Sequence, residues 1–310
     1  MGRFYSDRSL TAAHDRSNTS YAGIVRDKNA AKPYTLFDGK LVKLEYDNIE
    51  NIAPCGGINS CSADLANWVL AQLQNGVFDD QQIIPGDVIN ETRTPRSIVG
   101  DGHSGLFPSQ HYDLYGLGVE MNDFGGEEMV WHTGGADGFV TTVCMVPGKD
   151  IGIVVLTNTD ANYFFIAAMY QILEAYFDMP YRNLSALFYG FYTGREKQNT
   201  DEMHAMYKKA EKKEPLPLPG SLMTGAFYNP VYGKMFITME GGNLVMKFEH
   251  HPQLKGKLEY MGDNTFVCTY DPISYGVQEI PFTIEDNKVT SVTVTVTEFI
   301  DLMPYVFTRL

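Results

Sequence analysis

Positive charge is in short supply: 24 Lys and Arg stand against 38 Asp and Glu, a formal net charge of -14 across 310 residues, with a pI of about 4.9. Such a chain repels phosphate backbones, which excludes a general nucleic-acid-binding role. The densest basic cluster, Lys208-Lys209 with Lys212-Lys213, is interleaved with Glu211 and Glu214 and reads as a solvated helix face. Cysteine is also sparse. The four residues Cys55, Cys61, Cys144 and Cys268 fit no zinc or redox spacing. A Cys55–Cys61 bridge would close a short loop, but buried free thiols are the expected state. No window reaches the roughly 20 apolar residues that a membrane span needs, so no span is expected. No apolar segment comes after Met1-Gly2-Arg3-Phe4-Tyr5 as it would in a signal peptide, and the compartment is not readable. There is no Gly-rich phosphate loop, and His250-His251 has no further His or Cys at ligand spacing, so no metal and no other cofactor is expected.

The composition that remains, 44% hydrophobic and 20% charged, is that of a folded protein. Residues 1–50 are polar and irregular. Ser60 or Ser62 can cap a helix with Asp64 in its first turn, carried on by Leu65, Trp68, Val69 and Leu73 and ended by Asn75-Gly76. A second short helix is expected after Pro85, with Val88 and Ile89 as its apolar side, and residues 94–111 read as loop. Between 112 and 158 the pattern is β: Tyr115–Met121, Met129–His132, Gly138–Val146 and Ile151–Asn158 read as strands. The last two are joined by Pro147-Gly148-Lys149-Asp150, a hairpin signal. A long apolar helix should run from Tyr163 to Phe177, and a more polar one from Leu184 to about Lys213. After the stiff stretch Pro215–Gly220 the chain alternates in short runs, among them Phe236–Met239, Leu244–Phe248, Phe266–Tyr270 and Val289–Thr295. Gly-, Asp- and Asn-rich turns separate them, the signature of an all-β barrel or sandwich. The expected organisation is 1–180, a helical linker at 181–217, and a β domain at 218–310.

The most informative segment is Trp131-His132-Thr133-Gly134-Gly135-Ala136-Asp137-Gly138-Phe139. With the hairpin behind it, it closely resembles the His-x-Gly or Lys-Thr-Gly motif of the serine beta-lactamase-like family, which includes class C beta-lactamases, D,D-peptidases and esterases. Three further pieces resemble that family in the same order: Pro54 to Leu65, Tyr115-Gly116-Leu117-Gly118, and Val154–Asn158. The region from Met1 is similar to the stretch after the family's Pro-Leu-Gly-Met segment. The resemblance implies an α+β fold, an α/β sandwich of beta-lactamase type. It also implies a small barrel of lipocalin-like type over 218–310, where Leu222, Gly225, Tyr228 and Tyr232-Gly233 match more loosely. For the site it implies His132 projecting inward, Thr133 and Gly134 binding substrate, and the Gly135 backbone N–H serving as one oxyanion donor.

The family's nucleophile lies in Ser-x-x-Lys, and no serine of this chain has a lysine three residues on. Tyr46-Asp47-Asn48 and Tyr181-Arg182-Asn183 match the family's Tyr-x-Asn but stand in the wrong order relative to the other motifs. The expectation is therefore the C-terminal half of the catalytic fold, an incomplete sandwich inactive alone, with an exposed sheet edge that favours self-association or complementation by the missing half. The expected partner is a small-molecule or peptide substrate: a β-lactam, a D-amino acid peptide or an ester. The alternative is a non-catalytic ligand- or partner-binding module on the same fold. Use of Ser60, Ser62 or Cys61 as a different nucleophile has no motif to support it.

Overall fold

The computed structural model describes residues 17–100, 102, 105–107, 110–296 and 303–310. The chain divides into two compact units. One holds the residues up to Leu36 with Val42–Tyr192, and the other holds Phe37–Leu41 with Thr193–Leu310.

In the first unit, helix α1 (Tyr21–Arg26) precedes the hairpin β1 (Tyr34–Phe37) and β2 (Lys40–Lys43), whose tip, Phe37–Leu41, belongs to the second unit. Helix α2 (Ser62–Leu73) comes next, then the short pair β3 (Val77–Phe78) and β4 (Gln81–Gln82), and helix α3 (Gly86–Thr92). Six strands form one antiparallel sheet: β5 (Ser97–Gly100), β6 (Asp113–Tyr115), β7 (Glu120–Phe124), β8 (Glu127–Ala136), β9 (Phe139–Val146) and β10 (Ile151–Thr157). They lie side by side in chain order, each paired with its sequence neighbour. Helix α4 (Phe164–Tyr176) lies beyond them, and the 27-residue helix α5 (Leu184–Ala210) starts in this unit and ends in the second, which begins again at Thr193.

Alternation along the strands builds two cores, one on each face of the sheet. Val69 of α2 packs with Met121, Val130 and Met145 on one face. Met169, Tyr170 and Leu173 of α4 pack with Phe124, Met129, Cys144 and Ile153 on the other. The α+β expectation for this unit holds.

Several local readings change. Tyr115–Met121 is not one strand. Gly116 and Gly118 turn the chain between β6 and β7, with the Gly116 N–H bonded to the Val119 carbonyl at 2.8 Å and Gly118 at φ +82°. A Cβ at Gly116 would stand 2.1 Å from the Thr92 carbonyl oxygen, so the turn passes against the end of α3 in a way that only glycine permits. The stretch read as loop contains β5, whose partner β6 lies beyond the Gly-rich segment and is invisible to local pattern. Cys61 rather than a serine occupies the N-cap of α2, and the Ser60 hydroxyl instead meets that of Ser17 at 2.6 Å. Val88 is exposed, leaving Ile89 as the buried residue of α3.

The second unit is dominated by a closed eight-stranded antiparallel barrel. Its strands are β11 (Gly225–Asn229), β12 (Gly233–Glu240), β13 (Asn243–Phe248), β14 (His251–Gly262), β15 (Thr265–Asp271), β16 (Val277–Glu285), β17 (Lys288–Val294) and β18 (Tyr305–Arg309). Each strand pairs with the next, and β18 returns to β11 through Phe227↔Arg309 and Tyr228↔Thr308. Closure removes every free strand edge. Inward residues alternate with outward ones, and Phe227, Phe266, Phe282 and Phe307 fill the interior with Met235, Met246 and Tyr270. Among the described residues no helix is long and apolar enough to cross a membrane.

All four cysteines are free. Burial pushes the Cys144 and Cys268 thiols up to about 12. Cys55 and Cys61, by contrast, are exposed, which corrects the expectation of burial. Since the thiolate is the reactive form, an aromatic disulfide reagent should titrate two thiols of the native protein quickly and all four only in denaturant. Rapid reaction of four thiols in the native state would contradict the two cores.

Candidate active site

The segment that sequence singled out is the second half of β8. Its strand partners fix which way each residue faces. The two-residue turn Gly125-Gly126 closes the β7–β8 hairpin at Phe124↔Glu127, and Asn122↔Met129 and Glu120↔Trp131 come after it at intervals of two. The two-residue turn Asp137-Gly138 closes the β8–β9 hairpin at Ala136↔Phe139, with Gly134↔Thr141 and His132↔Val143 beyond it. The pair that closes such a turn is hydrogen-bonded, and bonded pairs alternate along an antiparallel ladder. Both hairpins therefore give β8 one phase. Glu127, Met129 and Trp131 direct their N–H and C=O groups to β7, and His132, Gly134 and Ala136 direct theirs to β9. The Thr142 hydroxyl, donating to the His132 carbonyl at 3.3 Å, agrees with that phase.

Strand β7 begins at Glu120, opposite Trp131. Beyond that point β8 has no partner on the β7 side among the described residues. The backbone groups of Thr133 and Gly135 thus face an open edge five residues long. Gly134 and Gly135 are exposed. A Cβ at Gly134 would lie 2.7 Å from the Thr141 hydroxyl, which explains a small residue there.

Side chains alternate independently of this. Met129 and Trp131 belong to the α4 side, and Val130 to the α2 side. Continuing the alternation puts His132 and Gly134 on the α2 side. His132 is half-buried and doubly engaged. Its Nε2 lies 2.9 Å from the Tyr115 hydroxyl, the two rings meet edge to face with centroids 5.7 Å apart, and its Nδ1 contacts the Thr133 carbonyl. Tyr115 pairs with Glu120 across β6 and β7, so both lie where β7 ends and the open edge begins. Burial pushes the Glu120 carboxyl up; His132 pulls it down and Asp113 adds to the rise. Sequence reasoning missed Tyr115 and Glu120. Tyr115 belongs to a motif that resembles the family's, but the motif reads as a strand, and only the turn after it aims the ring at His132.

The far end of the edge is held by the hairpin turn at Gly138, which has φ +79°. A Cβ there would meet that of Pro33 at 2.3 Å. The Tyr34 N–H reaches the Gly138 carbonyl at 3.4 Å, and the Gly138 N–H donates to Asp160 Oδ2 at 2.9 Å. Tyr46, part of a Tyr-x-Asn that stands out of the family's order, stacks on Phe139 at 6.4 Å and accepts from Lys32 Nζ at 3.1 Å. The structure does not bring it to His132. Ser60, Ser62 and Cys61 belong to the start of α2. The Ser60 hydroxyl meets the Ser17 hydroxyl and the Cys61 carbonyl rather than a base. Beneath the site strands, Asp113 Oδ1, Asn122 Oδ1 and Trp131 Nε1 are buried without a hydrogen-bond partner. At about 1–3 kcal/mol for each such group, these strands are held against a real cost.

Residues 6–176 match the Beta-lactamase family, and residues 208–309 match a domain of unknown function, DUF3471. Over 198 residues the chain is 28% identical to unguisins hydrolase ungD' of Aspergillus campestris, covering 61% of this chain and 35% of the fungal protein. Among solved structures it is similar to the octameric penicillin-binding protein homologue from Pyrococcus abyssi, at 19% identity and a TM-score of 0.48, covering 99% of this chain and 60% of that one. It is also similar to the D-stereospecific amidohydrolase from Streptomyces sp., at 19% identity and a TM-score of 0.40, covering 51% and 44%. The match to the fungal relative spans about a third of that protein's length.

Burial pushes the Asp160 carboxyl up, more than its hydrogen bonds from Thr35 and Gly138 pull it down. A carboxyl raised in the folded state binds more protons there than in the unfolded chain. Its contribution should therefore fall as pH rises from the unfolded value, about 3.9, through the folded one. Asp160→Asn should remove that part of the pH dependence while keeping the oxygen that accepts from Gly138. Denaturant unfolding of both proteins between pH 3.5 and 7 checks this; parallel curves would contradict it.

Proposed function

Because the chain belongs to the beta-lactamase family, we propose that it forms the strand-bearing part of a serine hydrolase that cleaves an amide or ester through an acyl-enzyme. The observation that carries this reading is the open edge of β8, with the backbone of Thr133 and Gly135 facing it. A substrate acyl group lying along that edge would align as an added strand. The Gly135 N–H would then donate to the carbonyl oxygen as negative charge develops on it. Thr133 and Gly134 line the approach, and His132 stands beside it on the α2 side.

The covalent step needs a serine Oγ to attack the carbonyl carbon. The C–N or C–O bond then breaks, the leaving amine or alcohol takes the proton, and water releases the acid. No Ser-x-x-Lys occurs in the 310 residues. In this reading the nucleophile comes from a segment outside them, in the same protein or on another chain, and the chain alone is inactive. Candidate substrates are β-lactams, D-amino acid peptides and esters. The name of the Aspergillus relative, a hydrolase of unguisins, is in keeping with a hydrolytic role.

Intact-mass analysis after exposure to a fluorophosphonate, and separately to a penicillin, should show no adduct on the isolated chain. A stoichiometric adduct would overturn the missing-nucleophile reading, and peptide mapping would locate the true one. Adding a family segment that carries Ser-x-x-Lys should restore hydrolysis. In that completed enzyme Gly135→Pro removes the outward N–H without breaking a β8–β9 bond. It should lower kcat about 100- to 1,000-fold, the usual effect of losing one oxyanion donor. Unchanged turnover in the proline variant would remove Gly135 from the site.

A further inference from the structure

The phase that frees part of β8 runs on through the sheet. With His132, Gly134 and Ala136 bonded to Val143, Thr141 and Phe139, the alternate β9 residues Val140, Thr142, Cys144 and Val146 direct their backbone groups to β10. Their partners there are Thr157, Val155, Ile153 and Ile151. The Thr157 hydroxyl, donating to the Val140 carbonyl at 2.7 Å, agrees with that phase. Gly152, Val154 and Leu156 therefore turn their N–H and C=O groups the other way. Strand β10 ends the sheet on that side, and no described residue pairs with it there.

Proteins ordinarily blunt such edges. The opposite edge of this sheet is blunted: β5 has four residues and a register shift between Ile98 and Gly100. Strand β10 has seven residues in unbroken register, with no charge, no proline and no bulge. The helices over it add exposed apolar side chains. Helix α2 lies so close that a Cβ at Gly152 would stand 2.2 Å from a Val69 methyl group, and Leu70, the next residue, is exposed. On α4, Tyr170 packs toward β7 against Phe124, whereas Phe164 and Ile172 on the other flank are exposed. A chain of net charge -14 repels its own kind over most of its surface, and this uncharged edge is a place where two copies can meet.

We infer that β10 is a pairing edge whose occupant is β10 of a second copy, antiparallel across a two-fold axis at Val154. Alternation over Ile151–Thr157 makes the central residue, Val154, an outward one. On a two-fold axis there, Val154 bonds to its counterpart, and Gly152 of each copy bonds to Leu156 of the other, so each outward N–H meets an outward carbonyl. A shift of one residue would set outward groups against groups already bonded to β9. Asp150 and Asn158, which flank the strand, come opposite each other, so no like charges are opposed. The axis stands perpendicular to the sheet. It brings α2 alongside α2 and α4 alongside α4, with Leu70, Phe164 and Ile172 adjoining the seam. The pairing follows from the phase of β9 and does not depend on the hydrolytic reading of β8.

Sedimentation velocity on the full chain, from low micromolar to near-millimolar concentration, should show a monomer–dimer equilibrium. Residue-resolved amide exchange should find Gly152, Val154 and Leu156 rapid in the dilute sample and protected in the concentrated one. Val154→Pro deletes an outward N–H and leaves every β9 bond in place. It should raise the dimer Kd about 30-fold or more, the effect of losing two hydrogen bonds across the axis. Leu156→Lys, a charge on an exposed edge position, should raise it about tenfold and carries the test if the proline variant fails to fold. Ile98→Lys, on the opposite edge, should leave it unchanged. A monomer at every concentration overturns the inference. So does a dimer that neither β10 substitution weakens, or that Ile98→Lys weakens equally. Protection of the three amides in a monomer would assign the edge to a segment of the same chain and overturn the second copy as its occupant.

Discussion

Everything proposed for this molecule depends on the phase of one strand. The two hairpins on either side of β8 are each closed by a two-residue turn, Gly125-Gly126 before it and Asp137-Gly138 after it. An odd offset between them would have turned the backbone of Thr133 and Gly135 toward β9, where a neighbouring strand would consume it. The offset is even, and β7 starts late because Gly116 and Gly118 turn the chain before Glu120. A short length of backbone is left with its donors and acceptors directed outward. Free edges are ordinarily a liability. Here the edge is confined to five residues and flanked by Tyr115 at one end and the Pro33–Gly138 contact at the other.

The sheet beneath supplies rigidity. Both faces are covered by helices, α2 over Val130 and Met145, α4 over Met129 and Cys144. Side-chain alternation therefore places His132 on one face while backbone alternation places the Thr133 and Gly135 groups on the open edge. A single strand can in this way present an imidazole and a row of backbone groups to one region without any loop having to hold them. The half-buried His132 ring is held in place by the Tyr115 hydroxyl on one nitrogen and the Thr133 carbonyl on the other.

Much of this is legible in the residues themselves. The run from Trp131 to Phe139 named the site strand, because glycines and a histidine between two apolar β segments carry both local geometry and a family resemblance. The barrel was legible from evenly spaced turns, although strand alternation alone could not separate a barrel from a sandwich; closure depends on β18 finding β11, about 80 residues away in sequence. Non-local facts were not legible. Strand β5 was hidden in a Gly- and Pro-rich stretch because its partner lies beyond the gap. The burial of Cys144 and Cys268 and the exposure of Cys55 and Cys61 arise from packing rather than from residue type. Tyr115 was visible as a motif residue but silent as a site residue, because its role arises from a turn that the motif's glycines make.

The central claim is that the Thr133 and Gly135 amides face an open edge while their neighbours are bonded to β9. Residue-resolved amide hydrogen exchange on the native chain tests it most directly. The account predicts alternation along five residues: His132, Gly134 and Ala136 protected by the β9 ladder, Thr133 and Gly135 exchanging rapidly. Uniform protection across 132–136, or protection of Thr133 and Gly135 with exchange at His132 and Gly134, would contradict it and remove the basis for the site.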